Sequence, residues 1–231
     1  MKLKINEFRI KVFLRQDLSN NDALQAISKL FDTVAYQENK NLHTDNEYKF
    51  YTYNSLYPLA KDGVYEKGKV YSIIVRTTDV AVADIFSITL YKQDNSMFKV
   101  LGVERREIAQ KPLQEIFSIT PIIVRFDKEG YWREHHSMET FEGRLKVNLV
   151  KKYNLIAGTK IDENFDWINY IEITNRKPIA TNYKNIQLLG DKVVIKVAQN
   201  EQAQQIAWTA VGASLGELSA RGYGFVNYRY L

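Results

Sequence analysis

Apolar and polar positions alternate near the start of the chain. In Phe8-Arg9-Ile10-Lys11-Val12-Phe13-Leu14, the residues Phe8, Ile10, Val12 and Leu14 share one side with charges between them, the period of a half-buried strand. The spacing then changes. From the capping candidates Asn21 and Asp22, the residues Leu24, Ile27, Leu30, Phe31 and Val34 recur at helical intervals until the polar segment 37–46. Residues 49–53 and 70–76 read as strands, 79–92 as a helix and 98–107 as another strand.

The same order returns in the second half, with a strand over 117–126, a helix over 138–153, and strands at 166–174, 186–189 and 192–197. A helix over 201–214 and a strand over 223–230 complete it. Met138, Phe141, Leu145, Leu149 and Tyr153 form the apolar stripe of the first of these helices; Ala203, Ile206, Ala207 and Ala210 form that of the second. Both stripes are core. Gly190-Asp191 has the composition of a hairpin turn, and 109–115, with Pro112, is the expected junction between halves. The order β-α-β-β-α-β, met twice, predicts an α+β chain of two tandem ferredoxin-like (RRM-like) domains, residues 1–113 and 114–231.

With 231 residues, 45% of them hydrophobic, the chain can bury a real core. It has no cysteine, so disulfides and thiolate metal sites are excluded, which suits a reducing cytosol. The charged N-terminus lacks the apolar core of a signal peptide, and no later run has the length to span a bilayer; the expected location is cytoplasmic, away from membranes. A net charge of +5 favours a polyanionic partner, although many basic proteins bind no nucleic acid.

The sharpest local pattern lies between the last helix and the last strand. Ser214-Leu215-Gly216-Glu217-Leu218-Ser219-Ala220-Arg221-Gly222-Tyr223-Gly224 is a glycine-rich loop in which backbone amides can approach a phosphate, with Arg221 and Ser219 beside them. It is not a mononucleotide P-loop, because the Gly-Lys-Ser/Thr ending is missing and the loop follows a helix. Glycines that merely turn a helix into a strand are the competing reading.

Here the sequence resembles the CRISPR-associated repeat-processing endoribonucleases of the RAMP superfamily. Their C-terminal signature runs Gly-hydrophobic-Gly, five residues, Gly-hydrophobic-Gly; Gly216, Gly222 and Gly224 fall on three of those glycines, and Ser214 stands at the first. Further landmarks are Leu42-His43, Lys49-Phe50-Tyr51-Thr52-Tyr53, Thr120-Pro121-Ile122-Ile123-Val124, Asn148-Leu149 with Lys152-Tyr153, and Asn182-Tyr183-Lys184 before Leu188-Leu189-Gly190.

The resemblance implies metal-independent cleavage of CRISPR repeat RNA in precursor transcripts, without cofactor, leaving 5′-hydroxyl and 2′,3′-cyclic phosphate ends. Such chemistry needs a positioned 2′-hydroxyl, proton transfers and neutralised charge on phosphorus. The family's pattern assigns proton transfer to His43, in a polar loop, and charge stabilisation to Lys49, six residues on. Taken alone, a lone histidine is more often structural. Tyr36 is a third candidate, since the first helix reads Leu24-Gln25-Ala26-Ile27-Ser28 where some relatives carry a tyrosine; aromatic packing at the helix end competes.

RNA contact is expected from Ser214, Gly216, Ser219, Arg221, Gly222, Gly224 and Lys184. Arg144, Lys146, Lys151, Lys152 and Lys184 either line a groove between the halves or bind repeat RNA on the outside, with the wet face of a helix as the competing reading for several of them. His135 and His136 diverge as neighbours and lack the His-Glu-x-x-His spacing, so no metal site is assigned. The rival readings are an RNA-holding subunit of a CRISPR effector complex that does not cut, and a ferredoxin-like interaction domain unrelated to RNA. Other effector subunits and a second copy of the chain stay open as partners.

Overall fold

The computed structural model describes residues 3–38, 49–126 and 130–231, and of residues 35–38 the backbone only. The chain runs β1 (Asn6–Leu14), α1 (Ala23–Glu38), β2 (Tyr51–Tyr53), β3 (Val70–Thr77), α2 (Val80–Thr89) and β4 (Phe98–Glu107). It continues with β5 (Leu113–Ser118), α3 (Met138–Ala157), β6 (Ile168–Ile173), β7 (Ile179–Tyr183), β8 (Ile186–Gly190), β9 (Val193–Val197), α4 (Glu201–Ala213) and β10 (Val226–Tyr230).

Two four-stranded antiparallel sheets result, ordered β2-β3-β1-β4 and β10-β5-β9-β6. Both have the strand order of a ferredoxin-like unit, and the chain is a tandem of two such folds. Side chains on the strands and helices bring this about. On β1 the alternate residues Phe8, Ile10, Val12 and Leu14 are fully buried, and the α1 stripe of Leu24, Ile27, Leu30, Phe31 and Val34 packs over them. Burial of each such side chain is worth about 1.5–3 kcal/mol. Side-chain caps fix the helix starts: Asp79 accepts from the Ala81 and Val82 amides, Ser137 from Thr140 and Asn200 from Ala203.

The halves interlock. Leu3, Ile5 and Ile108 lie in the core under α3 and α4, whereas Ile123 and Tyr223 lie in the core under α1 and α2. Arg76 of β3 reaches across with its guanidinium, donating to the Val226 carbonyl (2.6 Å) and to Asn227 Oδ1 (2.9 Å) while paired with Glu7 (2.8 Å).

Three local expectations fail. The second half's first strand is Leu113–Ser118, not 117–126, so it begins inside the expected junction. Pro121 cannot donate to a ladder, and the buried Ile122-Ile123-Val124 run becomes a bed for the glycine-rich loop: Gly224 N donates to Pro121 O (2.8 Å) and Glu217 N to Ile123 O (2.9 Å). Gly190-Asp191 is not a hairpin turn, because β8 pairs with β7 and the turn falls at Lys184, whose φ is 54°. Asp191 is instead wholly buried, accepting from the Tyr131 hydroxyl, Trp132 Nε1, Arg133 Nη2 and Asn175 Nδ2. Lys152 is neither on a groove nor on a wet face; it is 5% exposed.

Candidate functional site

The glycine-rich loop leaves α4 at Ser214, whose φ of 67° and ψ of 163° belong to a region otherwise left to glycine. Holding a side chain there costs about 1–3 kcal/mol. Surrounding bonds offset it. Ser214 Oγ donates to Ser219 Oγ (2.6 Å), which donates to Ala213 O (3.0 Å), and the Lys152 ammonium donates to Ala213 O (3.0 Å), Ser214 O (2.9 Å) and Gly216 O (2.7 Å). A cation thus gathers the carbonyls at the end of α4, where the helix dipole is negative. Burial pushes the Lys152 pKa down to about 7, against the pull of the nearby Glu217 carboxylate.

Two glycines set the loop's approach. At Gly224 (φ 66°) a Cβ would stand 1.8 Å from Leu215 O; at Gly222 (φ 83°) it would stand 2.5 Å from Tyr53 Cε2 and 2.9 Å from Leu24 Cδ2. Gly222 is therefore where the loop touches the first half. Ser214, Gly216, Ser219, Gly222 and Gly224 are all buried, and both serine hydroxyls point inward to each other. They shape the loop from within. Its more open residues are Glu217, Leu218, Ala220 and Arg221.

Arg221 lies across from α1. Its Nη1 donates to Ser28 Oγ (2.6 Å) and to Asp32 Oδ2 (2.5 Å), and Lys49 Nζ is 3.7 Å from Asp32 Oδ1. Burial opposes the arginine's charge, but the bond to Asp32 and its carboxylate hold the Arg221 pKa above its ordinary value. The three charged side chains are between 18% and 26% exposed, shielded enough that salt screens them incompletely. Lys49 is anchored just ahead of β2, where Phe50 O accepts from Thr77 Oγ1 (2.6 Å) and Lys49 O from Tyr51 N (2.8 Å).

Arg221 and Lys184, on the β7–β8 turn, border one cleft of about 170 Å³ floored by the Gln25, Ser28 and Asp32 face of α1. Beside the loop, Arg125 Nε donates to Glu217 Oε2 (2.6 Å) and Arg144 Nη2 lies 3.5 Å from Glu217 Oε1, so two half-exposed arginines stand at its rim. His43 lies outside the described residues, and so does the side chain of Tyr36, whose backbone is in the last turns of α1. Among the described residues no His, Asp, Glu or Cys cluster could hold a metal ion, and no helix is long and apolar enough to cross a membrane.

Sequence reasoning missed Asp32, Arg125 and the inward role of Lys152. Helical spacing held signals for two of them: Asp32 follows Gln25 and Ser28 at seven and four residues, and Lys152 follows Leu145 and Leu149 at seven and three, on the apolar stripe.

Residues 104–228, more than half of the chain, match the family described as CRISPR associated protein Cas6, C-terminal. The chain belongs to this family. The Cas6 match spans the bed at Ile122–Ile123, the buried Lys152 and the whole glycine-rich loop. Similar solved structures reach over nearly the full length. One described as CRISPR associated protein Cas6 superposes with a TM-score of 0.72 at 18% identity, covering 97% of this chain and 99% of its own. A RAMP protein described as binding different RNA substrates gives 0.71 at 18%, with the same coverage. A Cas6-related protein from Pyrococcus furiosus gives 0.65 at 16%, covering 96% and 98%. At such identities these likenesses show the Cas6 fold. Comparison with curated protein sequences finds no match.

Proposed function

We propose that the chain is a metal-independent endoribonuclease that binds CRISPR repeat RNA and cuts it to release guide RNAs. The observation that carries this reading is the convergence of Lys49, from the first half, and Arg221, from the glycine-rich loop, on the Asp32 carboxylate, beside the cleft that Arg221 and Lys184 border. Two cations beside an anion-sized hollow suit a phosphodiester at which charge develops. In the cleavage, the ribose 2′-oxygen bonds to phosphorus as the bond to the 5′-oxygen breaks. The 2′-hydroxyl gives up its proton and the departing 5′-oxygen takes one, leaving a 2′,3′-cyclic phosphate and a 5′-hydroxyl. Lys49 and Arg221 carry the phosphorane charge. His43, on the chain between α1 and Lys49, transfers the protons as an imidazole titrating near neutrality can; Tyr36 is the third candidate. Lys184, Arg125 and Arg144 extend the cationic surface along which RNA backbone lies, and the buried glycines and serines hold the loop that presents Arg221.

A second reading, a subunit that holds repeat RNA without cutting it, is favoured by one feature: Asp32 already engages both Lys49 and Arg221. One experiment separates the two. Purified protein and its H43A variant are incubated with repeat RNA in EDTA, and the product ends are analysed. Wild type is expected to cut each repeat once, giving a cyclic phosphate, and H43A to lose the activity. Undiminished cleavage by H43A refutes the assignment; tight binding with no cleavage by wild type establishes the second reading.

A further inference from the structure

We propose that Asp32 is a positioning residue for cleavage: its carboxylate on α1 ties Lys49 of the first half to Arg221 of the glycine-rich loop, so that two cations from separate folds address one phosphate. This rests on the ribonuclease reading above. Asp32 splits its two oxygens. Oδ2 accepts from Arg221, which Ser28 also accepts from, while Oδ1 faces Lys49 at 3.7 Å. Oδ1 is buried and makes no hydrogen bond among the described residues, so among them its attraction for Lys49 is not shared with a neutral donor. Beneath it the Tyr51 hydroxyl is likewise buried and without a hydrogen-bond partner among the described residues. Burial foremost, and then the Asp32 charge, push the Tyr51 pKa upward, which leaves the phenol neutral.

A carboxylate so placed has two opposed effects. It repels an incoming phosphate, which weakens binding, and it fixes the cations that must act on that phosphate, which speeds the reaction. A pair serving the fold alone would do neither separately. Replacing Asp32 therefore moves affinity and rate in different directions.

The test uses D32N in the full chain. Affinity is read with repeat RNA blocked by a 2′-deoxy substitution at the cut site, and rate in single-turnover cleavage at saturating protein. D32N is expected to bind as tightly as wild type or several-fold more tightly, and to cleave at least about tenfold more slowly, the scale of a small misplacement of reacting groups. Cleavage at the wild-type rate overturns the proposal, as does a parallel loss of affinity and rate. Should D32N fail to fold by circular dichroism, D32E keeps the charge and shifts it by one methylene. It must then cleave more slowly with affinity within about twofold, and a wild-type rate in D32E overturns the proposal. Wild-type protein that leaves the RNA intact overturns the ribonuclease reading and this inference together, whereas active wild type with an equally active D32N overturns this inference alone.

Discussion

The ring of Tyr53 fills the space that a side chain at Gly222 would need: a Cβ there would lie 2.5 Å from Tyr53 Cε2. Tyr53 cannot easily give way, because it is fully buried, 4.8 Å from the Phe31 ring centroid, and its hydroxyl donates to Leu24 O (3.3 Å). The substitution G222A should therefore lift the loop from α1 and part Arg221 from Asp32. Left-handed backbone with a Cβ costs about 1–2 kcal/mol, and overpacking adds about 1–3 kcal/mol. Urea unfolding is expected to show a loss on the order of 3 kcal/mol, with RNA cleavage falling alongside. A midpoint within experimental error of wild type would mean that the loop accommodates a methyl group, against the geometry described.

Lys152 gives a pH signature. Its pKa falls from an ordinary 10.5 to about 7 in the folded protein because burial disfavours the ammonium. Between those values the unfolded chain holds a proton that the folded chain has released. Stability should then rise as pH climbs from about 7 towards 10.5, with a slope of up to about 1.4 kcal/mol per pH unit, and the contribution should be flat and least favourable below 7. The K152M variant removes the titrating group, so its stability curve should lose that slope. Equal slopes in the two proteins, measured by urea unfolding from pH 7 to 10, would contradict a Lys152 pKa lowered by burial.

The same lysine shows which parts of the structure could be read beforehand. Periodicity located α1, α3 and α4 because their stripes, such as Leu24 to Val34, are long and regular, and the cap candidates Asn21 and Asp22 stand just before α1. Strand order followed from these. Periodicity failed where side chains answer to distant partners. Ile122-Ile123-Val124 has a strand's composition, yet Ile122 exchanges backbone bonds with Asp191, Ile123 O accepts from Glu217 N, and Pro121 O just before them accepts from Gly224 N. Asp191, beside a glycine, has a turn's composition, but its carboxylate is claimed by donors from two other segments. The cationic cleft was legible only in part. Arg221 and Lys49 could be named from the loop and from the family pattern, while helical spacing puts Asp32 only on the face of Gln25 and Ser28, and its joining of the two cations depends on two folds packing together.

That packing has its own electrostatic joint. Arg76 is 3% exposed and Glu7 2%, and the guanidinium stacks 4.4 Å above the Phe225 ring while bonding to Glu7 and to the Val226 carbonyl. Removing one member leaves a buried charge uncompensated, at a cost of about 3–5 kcal/mol. E7Q keeps the shape and discards the charge, so it is expected to lower stability by that order, with an unchanged urea dependence because the same surface is exposed on unfolding. The effect should depend on pH in a definite sense. Burial alone would raise the Glu7 pKa, but Arg76 and Arg106 outweigh it and hold the carboxyl below its ordinary value of 4.5. The stabilisation is therefore complete above 4.5 and lost as pH falls through the lower folded value. Wild type and E7Q should differ most near neutrality and converge in acid; a difference that stays constant to pH 3 would show that Glu7 contributes shape alone to the joint between the two folds.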